Sequence, residues 1–425
     1  MRASLRFRSF QRARFIAGEL SRPLLRAQPR LQGRIPTAWG PCSALQRGIS
    51  LIEGLVGLVI GLLGVLIISQ VLAAFEGQKR TTTSATDSIE SGDVALYLLE
   101  REIRMAGYGM NSSEYFGCQV EANDSTRGGA APNIAFPLVP VTITQGAAGA
   151  PDSITLFYGN SDGYGNGAAF NAGGATNLVA LNRAGIFVGD LVIAAAPGSD
   201  ANLGGPPAGG NVCQLMEVTQ LPTASGQGDL VYYDQSSYVN SAGTAVAPTH
   251  NPAGGMGVTF SATGTLLDMG SSPRGVTYSI VVSADGNHYQ MQSADKFVNQ
   301  TAAVADDVID MQAQYGLDTG VNNGTVSHAS YVAADGIVDE FVDTMPAASP
   351  TAAQWAEVLA IRVAILSRGK IKEKYAAGTH TCTTTTAVPT WGSGTAFVIT
   401  TPDWGCYHYR VFQTTIPLRN VIWKQ

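Results

Sequence analysis

Few residues in this chain are of a type and spacing that could do chemistry, and one of them stands where charge is least tolerated. Glu53 is the only charged side chain between Ile49 and Phe75, in a 27-residue run otherwise built mainly of Leu, Ile, Val, Gly and Ala. As a helix that run would reach roughly 40 Å at about 1.5 Å per residue, more than the about 30 Å that a hydrocarbon core requires. A carboxylate at bilayer depth costs roughly 2.5 kcal/mol or more unless a partner neutralises it. A new amino terminus would be such a partner. A cut after Gly48 would give Ile49 an ammonium group four residues from Glu53, and the same two groups could pair between neighbouring copies.

The remaining candidates are weaker. Gly159-Asn160-Ser161-Asp162-Gly163 fits the G-x-S-x-G pattern of a nucleophile elbow and follows a plausible strand. An elbow must also open a helix, and Tyr164-Gly165-Asn166-Gly167 is a poor helix start, so the segment reads as a loop without catalysis. His250, His288, His328, His380 and His408 are scattered, with no HExxH or paired-ligand spacing, and read as surface or packing residues. Asp318, Asp335, Asp339 and Glu340 surround a Gly/Asn-rich segment whose oxygens could hold a calcium ion, although EF-hand spacing is absent and the ordinary reading is a solvated acidic loop. No other cofactor is expected, and the chain is not expected to be an enzyme.

Cysteine usage bears on the compartment. Of five Cys, Cys42 precedes the apolar run, which leaves Cys118, Cys213, Cys382 and Cys406. Four can pair completely, and without CxxC spacing two disulfides in an oxidising compartment are favoured over zinc or a redox site. Three connectivities are open; Cys118–Cys213 with Cys382–Cys406 closes the shorter loops.

These residues need elements to position them, and the pattern supplies three. Residues 1–48 hold ten Arg, one acid (Glu19) and no sustained periodicity, a basic leader rather than a domain. Such a segment stays on the cytoplasmic side and sends the carboxyl end of the following helix outward. Without it, 16 basic residues face 31 acidic ones, so the net charge moves from −6 to −15. An acidic chain is a poor general binder of phosphate backbones, and no nucleic acid is expected as partner.

A long helix is expected over 49–110, with 49–75 in the membrane and 76–110 amphipathic. Gly54, Gly57, Gly61 and Gly64 form one stripe that suits close helix packing in lipid. Thr81-Thr82-Thr83-Ser84 is a weak helix former, a candidate for a melted joint. Beyond it Gly92, Leu96, Leu99, Ile103, Ala106 and Met110 recur at helical spacing, with Glu100 and Arg104 set for an i,i+4 pair. Gly107 and Gly109 then offer a stop.

Residues 111–425 carry short apolar runs divided by turn residues, the signature of a β-rich head. Strands are expected at 153–158, 177–181, 191–195, 212–218, 230–233, 277–282, 289–292, 396–400 and 407–415. The runs 303–315 and 356–367 suit helix or strand, the second favouring a strand with one strongly apolar face. Gly-rich stretches at 160–175, 198–211 and 241–264 read as long surface loops. The fold class is α+β, a long N-terminal helix followed by a large β-rich head.

Arg47-Gly48, Ile49 and Glu53 together resemble the class III signal of a type IV prepilin, in which a basic leader ends in Gly before a bulky apolar residue and Glu stands five positions in. The resemblance implies cleavage between Gly48 and Ile49 by prepilin peptidase and N-methylation of Ile49. An ordinary secretory signal has a shorter apolar core and a small-residue cut after it.

The segment Leu98-Leu99-Glu100-Arg101-Glu102-Ile103-Arg104-Met105-Ala106-Gly107-Tyr108 narrows the likeness to the PilW family of minor pilins. Val188 to Val192, Gln314 to Thr319, Trp355 to Arg362 and Tyr409 to Asn420 continue it. The resemblance implies a structural subunit in the priming or tip complex of a type IV pilus. Its implied partners are other minor pilins, the major pilin, prepilin peptidase, the inner-membrane assembly platform and a large tip adhesin. The head would be periplasmic before assembly and at the pilus tip or cell surface after it, in a fibre serving twitching, adhesion or DNA uptake. A type II secretion pseudopilin of the GspJ kind and a membrane-tethered periplasmic binding module or enzyme are the alternatives.

Overall fold

A computed structural model describes residues 50–422 apart from 111, 129–131, 164–166, 198–210, 225, 253–258, 261–262, 285, 329, 377, 393 and 402. The chain divides into two compact units, residues 1–68 and 69–425, and the helix Leu51–Met105 contributes to both. The described part of the first unit is helical from Leu51 to Ile68, with every large apolar side chain exposed.

In the second unit the helix buries Ser84, Ser88, Gly92, Ala95, Leu99 and Ile103, a stripe at spacings of four and three that shares Gly92, Leu99 and Ile103 with the expected one, while Leu96, expected in it, is half-buried and Ala95 takes its place. The Thr81–Ser84 patch is not melted. Thr81 Oγ1 lies 3.1 Å from the Gly77 carbonyl oxygen, Thr86 Oγ1 donates to Thr82 O at 2.9 Å, and Ser84 is fully buried. Hydroxyls bonding back to the preceding turn offset the poor propensity of these residues. The helix ends at Met105, five residues before the expected Met110, where Gly107 takes φ +79° and the Asn420 side chain donates to the carbonyls of Met105 and Ala106 at 3.2 and 3.0 Å.

Among the described residues three large sheets follow, with two two-stranded ribbons, Tyr238–Val239 with Ala245–Val246 and Thr390–Trp391 with Thr395–Ala396. The largest has eight strands in the order Ile134–Pro137, Gln119–Ala122, Asn211–Glu217, Leu191–Pro197, Gly264–Asp268, Ala168–Gly173, Asn177–Ala180, Leu230–Tyr232. It is antiparallel except where Gln119–Ala122 meets Asn211–Glu217. The second sheet runs Gln300–Asp306, Tyr289–Asp295, Arg274–Val282, Ser153–Tyr158, Val141–Thr144, and the third Glu340–Val342, Val308–Leu317, Val358–Arg368, Tyr409–Pro417.

The strand Ala168–Gly173 falls inside a stretch expected to be loop. Its Gly and Ala residues give no periodic signal, yet Phe170 is fully buried and packs edge-on to Phe260 at 5.3 Å. Of the other two Gly-rich stretches, 198–210 lies outside the described residues, and 241–264 contains the short strand Ala245–Val246. The run 303–315 is two strands, broken at Asp307, whose φ is +58°. The helix Ala352–Ala356 precedes the strand Val358–Arg368, which buries both faces rather than one. Its central place in the third sheet explains this: Ile361, Val363 and Ile365 enter the main core, while Ala364 and Leu366 meet Trp391 and Phe397 behind. At 396–400 only Ala396 is in a strand.

The main core joins Ala95, Leu99 and Ile103 of the helix to both smaller sheets and to one face of the large sheet. The other face of the large sheet has its own core, in which Val192, Ala194 and Met216 meet Phe170, Leu178 and Val231 from the far strands.

Candidate functional site

The candidate site is the helix itself, exposed and apolar at one end and locked into the head at the other. Leu51–Met105 is a helix long and apolar enough to cross a membrane by length and composition. At Gly54, Gly57, Gly61 and Gly64 no atom of the chain stands within 4 Å of where a Cβ would be, so the stripe is open to a partner. Gly48 and Ile49 lie outside the described residues. Glu53 is exposed in the first helical turn, where its amide donates to Ser50 O at 3.0 Å and to Ser50 Oγ at 3.2 Å. Ser50 thus caps the helix, and a carboxylate three residues on sits favourably at the positive helix end. The reading of the sequence missed this start, although the Ser50-x-x-Glu53 spacing carries it, and the cap gives Glu53 a local role besides any pairing with an amino terminus.

The other end is held by close contacts. Ser367 Oγ donates to Ser88 O at 2.5 Å, and a Cβ on Gly92 would lie 2.2 Å from Phe412. A Cβ on Gly369 would lie 2.6 Å from the Ser84 carbonyl oxygen. Small residues on both elements let the backbones meet. Glu100 and Arg104 form the expected pair, with Arg104 Nε donating to Glu100 Oε1 at 3.1 Å. Glu102 accepts from Tyr158, and Arg274 pairs with Asp295 nearby. Tyr108 donates to Ser161 O at 2.9 Å and Gly107 N to Phe157 O at 2.9 Å, tying the helix exit to the strand Ser153–Tyr158.

Both disulfides have the shorter-loop pairing. Cys118–Cys213 joins the start of Gln119–Ala122 to its parallel neighbour with Cα atoms 6.1 Å apart. Cys382–Cys406 closes the loop before the last strand, Cα atoms 4.8 Å apart.

The four acids considered for calcium are engaged separately. Asp318 accepts from Ala334 N and Gly336 N at 2.7 Å each, and Asp335 from Ile337 N at 2.9 Å. Asp339 accepts from Gly320 N at 2.6 Å and pairs with His328 Nε2 at 2.8 Å, while Glu340 accepts from Thr319 and Asn323. They stitch the 319–340 loop to itself. Among the described residues no three His, Cys, Asp or Glu side chains are grouped to hold a metal ion.

Ser161 lies just before the bend at Asp162 and Gly163 and donates to Asp268, whose carboxyl burial holds above the usual range. Burial, reinforced by the charges of Asp268 and Asp162, pushes Asp190 up to about 6. No imidazole is among the hydrogen-bond partners of the described Ser161. His250 is buried with Nδ1 2.9 Å from Asn123 O, His408 Nε2 is 3.6 Å from Glu373, His380 lies edge-on to Tyr375 at 5.8 Å, and His288 is exposed.

Residues 277–420 match the model of the family described as Type IV Pilus-assembly protein W, PilW. The match spans the third sheet and most of three strands of the second; the segments Gln314–Thr319, Trp355–Arg362 and Tyr409–Asn420 lie within it, whereas Leu98–Tyr108 and Val188–Val192 lie outside. No curated protein and no solved structure matches the chain.

Proposed function

We propose, from the match of residues 277–420 to the PilW family model of type IV pilus-assembly proteins, that this chain is a minor pilin acting in the priming or tip complex of the fibre. The observation that carries the reading is the join of that family sequence to a helix whose first turns, Leu51 to Phe75, expose every large apolar side chain. Such a surface is stable only in lipid or against other apolar helices. A membrane holds the subunit before assembly, and the helices of other pilus subunits replace the lipid afterwards. The leader ends at Gly48, Ile49 becomes the methylated amino terminus, and Glu53 pairs with an amino terminus as the helix leaves the bilayer.

Size supports a tip location. A compact head of 315 residues, 111–425, has a radius of gyration of roughly 20 Å, whereas helices packed side by side lie about 8 to 10 Å apart. Repeating this head at every position of a shaft would crowd its surface. Immunogold labelling of purified pili tests the location: label at fibre ends is expected, and uniform label along the shaft contradicts it. Deletion of the gene is expected to reduce piliation, and normal piliation would contradict a priming role.

A further inference from the structure

The strand Gln300–Asp306 is a free edge of the second sheet, paired among the described residues with Tyr289–Asp295 alone. Lys296 N donates to Gly275 O at 2.9 Å and Asp307 N to Tyr289 O at 2.7 Å, which fixes the alternation of the ladder: Asp295 and Ser293 face Gln300 and Ala302, so Thr301 and Ala303 turn their N–H and C=O groups outward. Both residues are exposed. Edges are ordinarily blunted by charge, proline or a bulge. From Gln300 to Ala305 this strand has neither charge nor proline, and its bulge leaves Val304 unpaired while Gln300 to Ala303 stay in regular register.

The long helix flanks this edge. At one end a cavity of about 290 Å³ lies between Asp87, Glu90 and Val94 of the helix and Ala305 and Asp306 of the strand. At the other end Gln300 pairs with Asp295, the ion-pair partner of Arg274, and Arg274 stands opposite Tyr158, which donates to Glu102. The strand therefore runs beside the helix from near Glu102 to Asp87, and Val94 and Tyr97 are exposed in between.

From this geometry we infer that the edge is a docking site for an extended, basic segment of a second protein, added as a sixth strand to the five of the second sheet. The outward N–H and C=O groups of Thr301 and Ala303 supply the ladder, and the helix supplies the other wall of the groove. Charge selects the occupant. The charged lining of the cavity is Asp87, Glu90 and Asp306 with Lys370, and Lys370 is already engaged by Asp307 at 3.5 Å. A Lys or Arg on the incoming strand meets that acidic surplus. A second copy of this chain does not, since it brings the same acids and, without residues 1–48, a net charge of −15.

The test screens a display library of random dodecapeptides against the mature full-length chain in a zwitterionic detergent. Selected peptides are expected to be rich in Lys and Arg and poor in proline, to slow amide hydrogen exchange at Thr301 and Ala303, and to bind at least tenfold more weakly to both Ala303→Pro and Glu90→Lys. Proline at an outward position of an edge removes one donor and spares the ladder behind it, and Glu90 is exposed, so both variants keep the fold. Absence of any selected binder, selection of acidic peptides, unchanged exchange at Thr301 and Ala303, unchanged affinity in either variant, or self-association of the chain that Ala303→Pro abolishes overturns the inference.

Discussion

The hydroxyl of Ser367, next to the last residue of the strand Val358–Arg368, donates to the carbonyl oxygen of Ser88, in the second half of the long helix, across 2.5 Å. That contact fixes helix to head, and the glycines beside it make it possible. Gly369→Ala should therefore destabilise the head by about 1–3 kcal/mol, because its Cβ would lie 2.6 Å from the backbone oxygen of Ser84, which cannot move without disturbing the helix. Gly77→Ala is the matched comparison: nothing lies within 4 Å there, and the helix should gain up to about 1 kcal/mol. Chemical denaturation followed by circular dichroism should give opposite signs for the two variants.

Asp310 should make stability depend on pH. Burial pushes its carboxyl up to about 7, with the charge of Asp152 adding to the shift, and its Oδ2 has no hydrogen-bond partner. The folded protein then keeps a proton that the unfolded chain releases near pH 4, so stability is greatest below pH 4 for this group and falls as pH rises toward 7. The loss is up to roughly 4 kcal/mol, at 1.36 kcal/mol per unit. Asp310→Asn should flatten that fall, and an unchanged slope between pH 4 and 7 would show that Asp310 is not its source.

The two disulfides should contribute about 2–4 kcal/mol each. Double replacement Cys118→Ser with Cys213→Ser should cost the stability of the join between the first strand of the head and the centre of the large sheet. Denaturant midpoints with and without reductant measure this, and a midpoint unmoved by the replacement would contradict it.

How much of this was legible in the sequence depends on how each element earns its burial. The helix and its amphipathic half were legible because Leu99, Ile103 and Ala106 repeat at helical spacing. Strands such as Ser153–Tyr158 were legible because apolar side chains are dense there. Ala168–Gly173 was not, since its one large apolar residue, Phe170, finds its partners on distant strands. The double burial of Val358–Arg368 was equally hidden: what covers Ala364 and Leu366 is Trp391 and Phe397, residues later in the chain. Glu53 and the cysteines were legible as candidates, but the free edge of Gln300–Asp306 was not, because a strand's neighbours are set by the whole sheet and not by its own residues.

Glu53→Ala should leave membrane insertion intact or improved, since it removes a charge from an apolar segment, while lowering incorporation into pili. Loss of the first-turn carboxylate should cost the helix only about 0.3–1 kcal/mol, so a large loss of incorporation would reflect pairing rather than unfolding. Membrane fractionation and immunoblots of sheared pili separate the two, and unchanged incorporation would show that Glu53 is not an assembly contact.

The amino terminus of the chain recovered from sheared pili, read by mass spectrometry, tests the central claim most directly. A minor pilin predicts N-methylated Ile49 as the first residue, in a subunit present at far lower abundance than the shaft protein. An intact leader, or a first residue beyond Phe75, would contradict it.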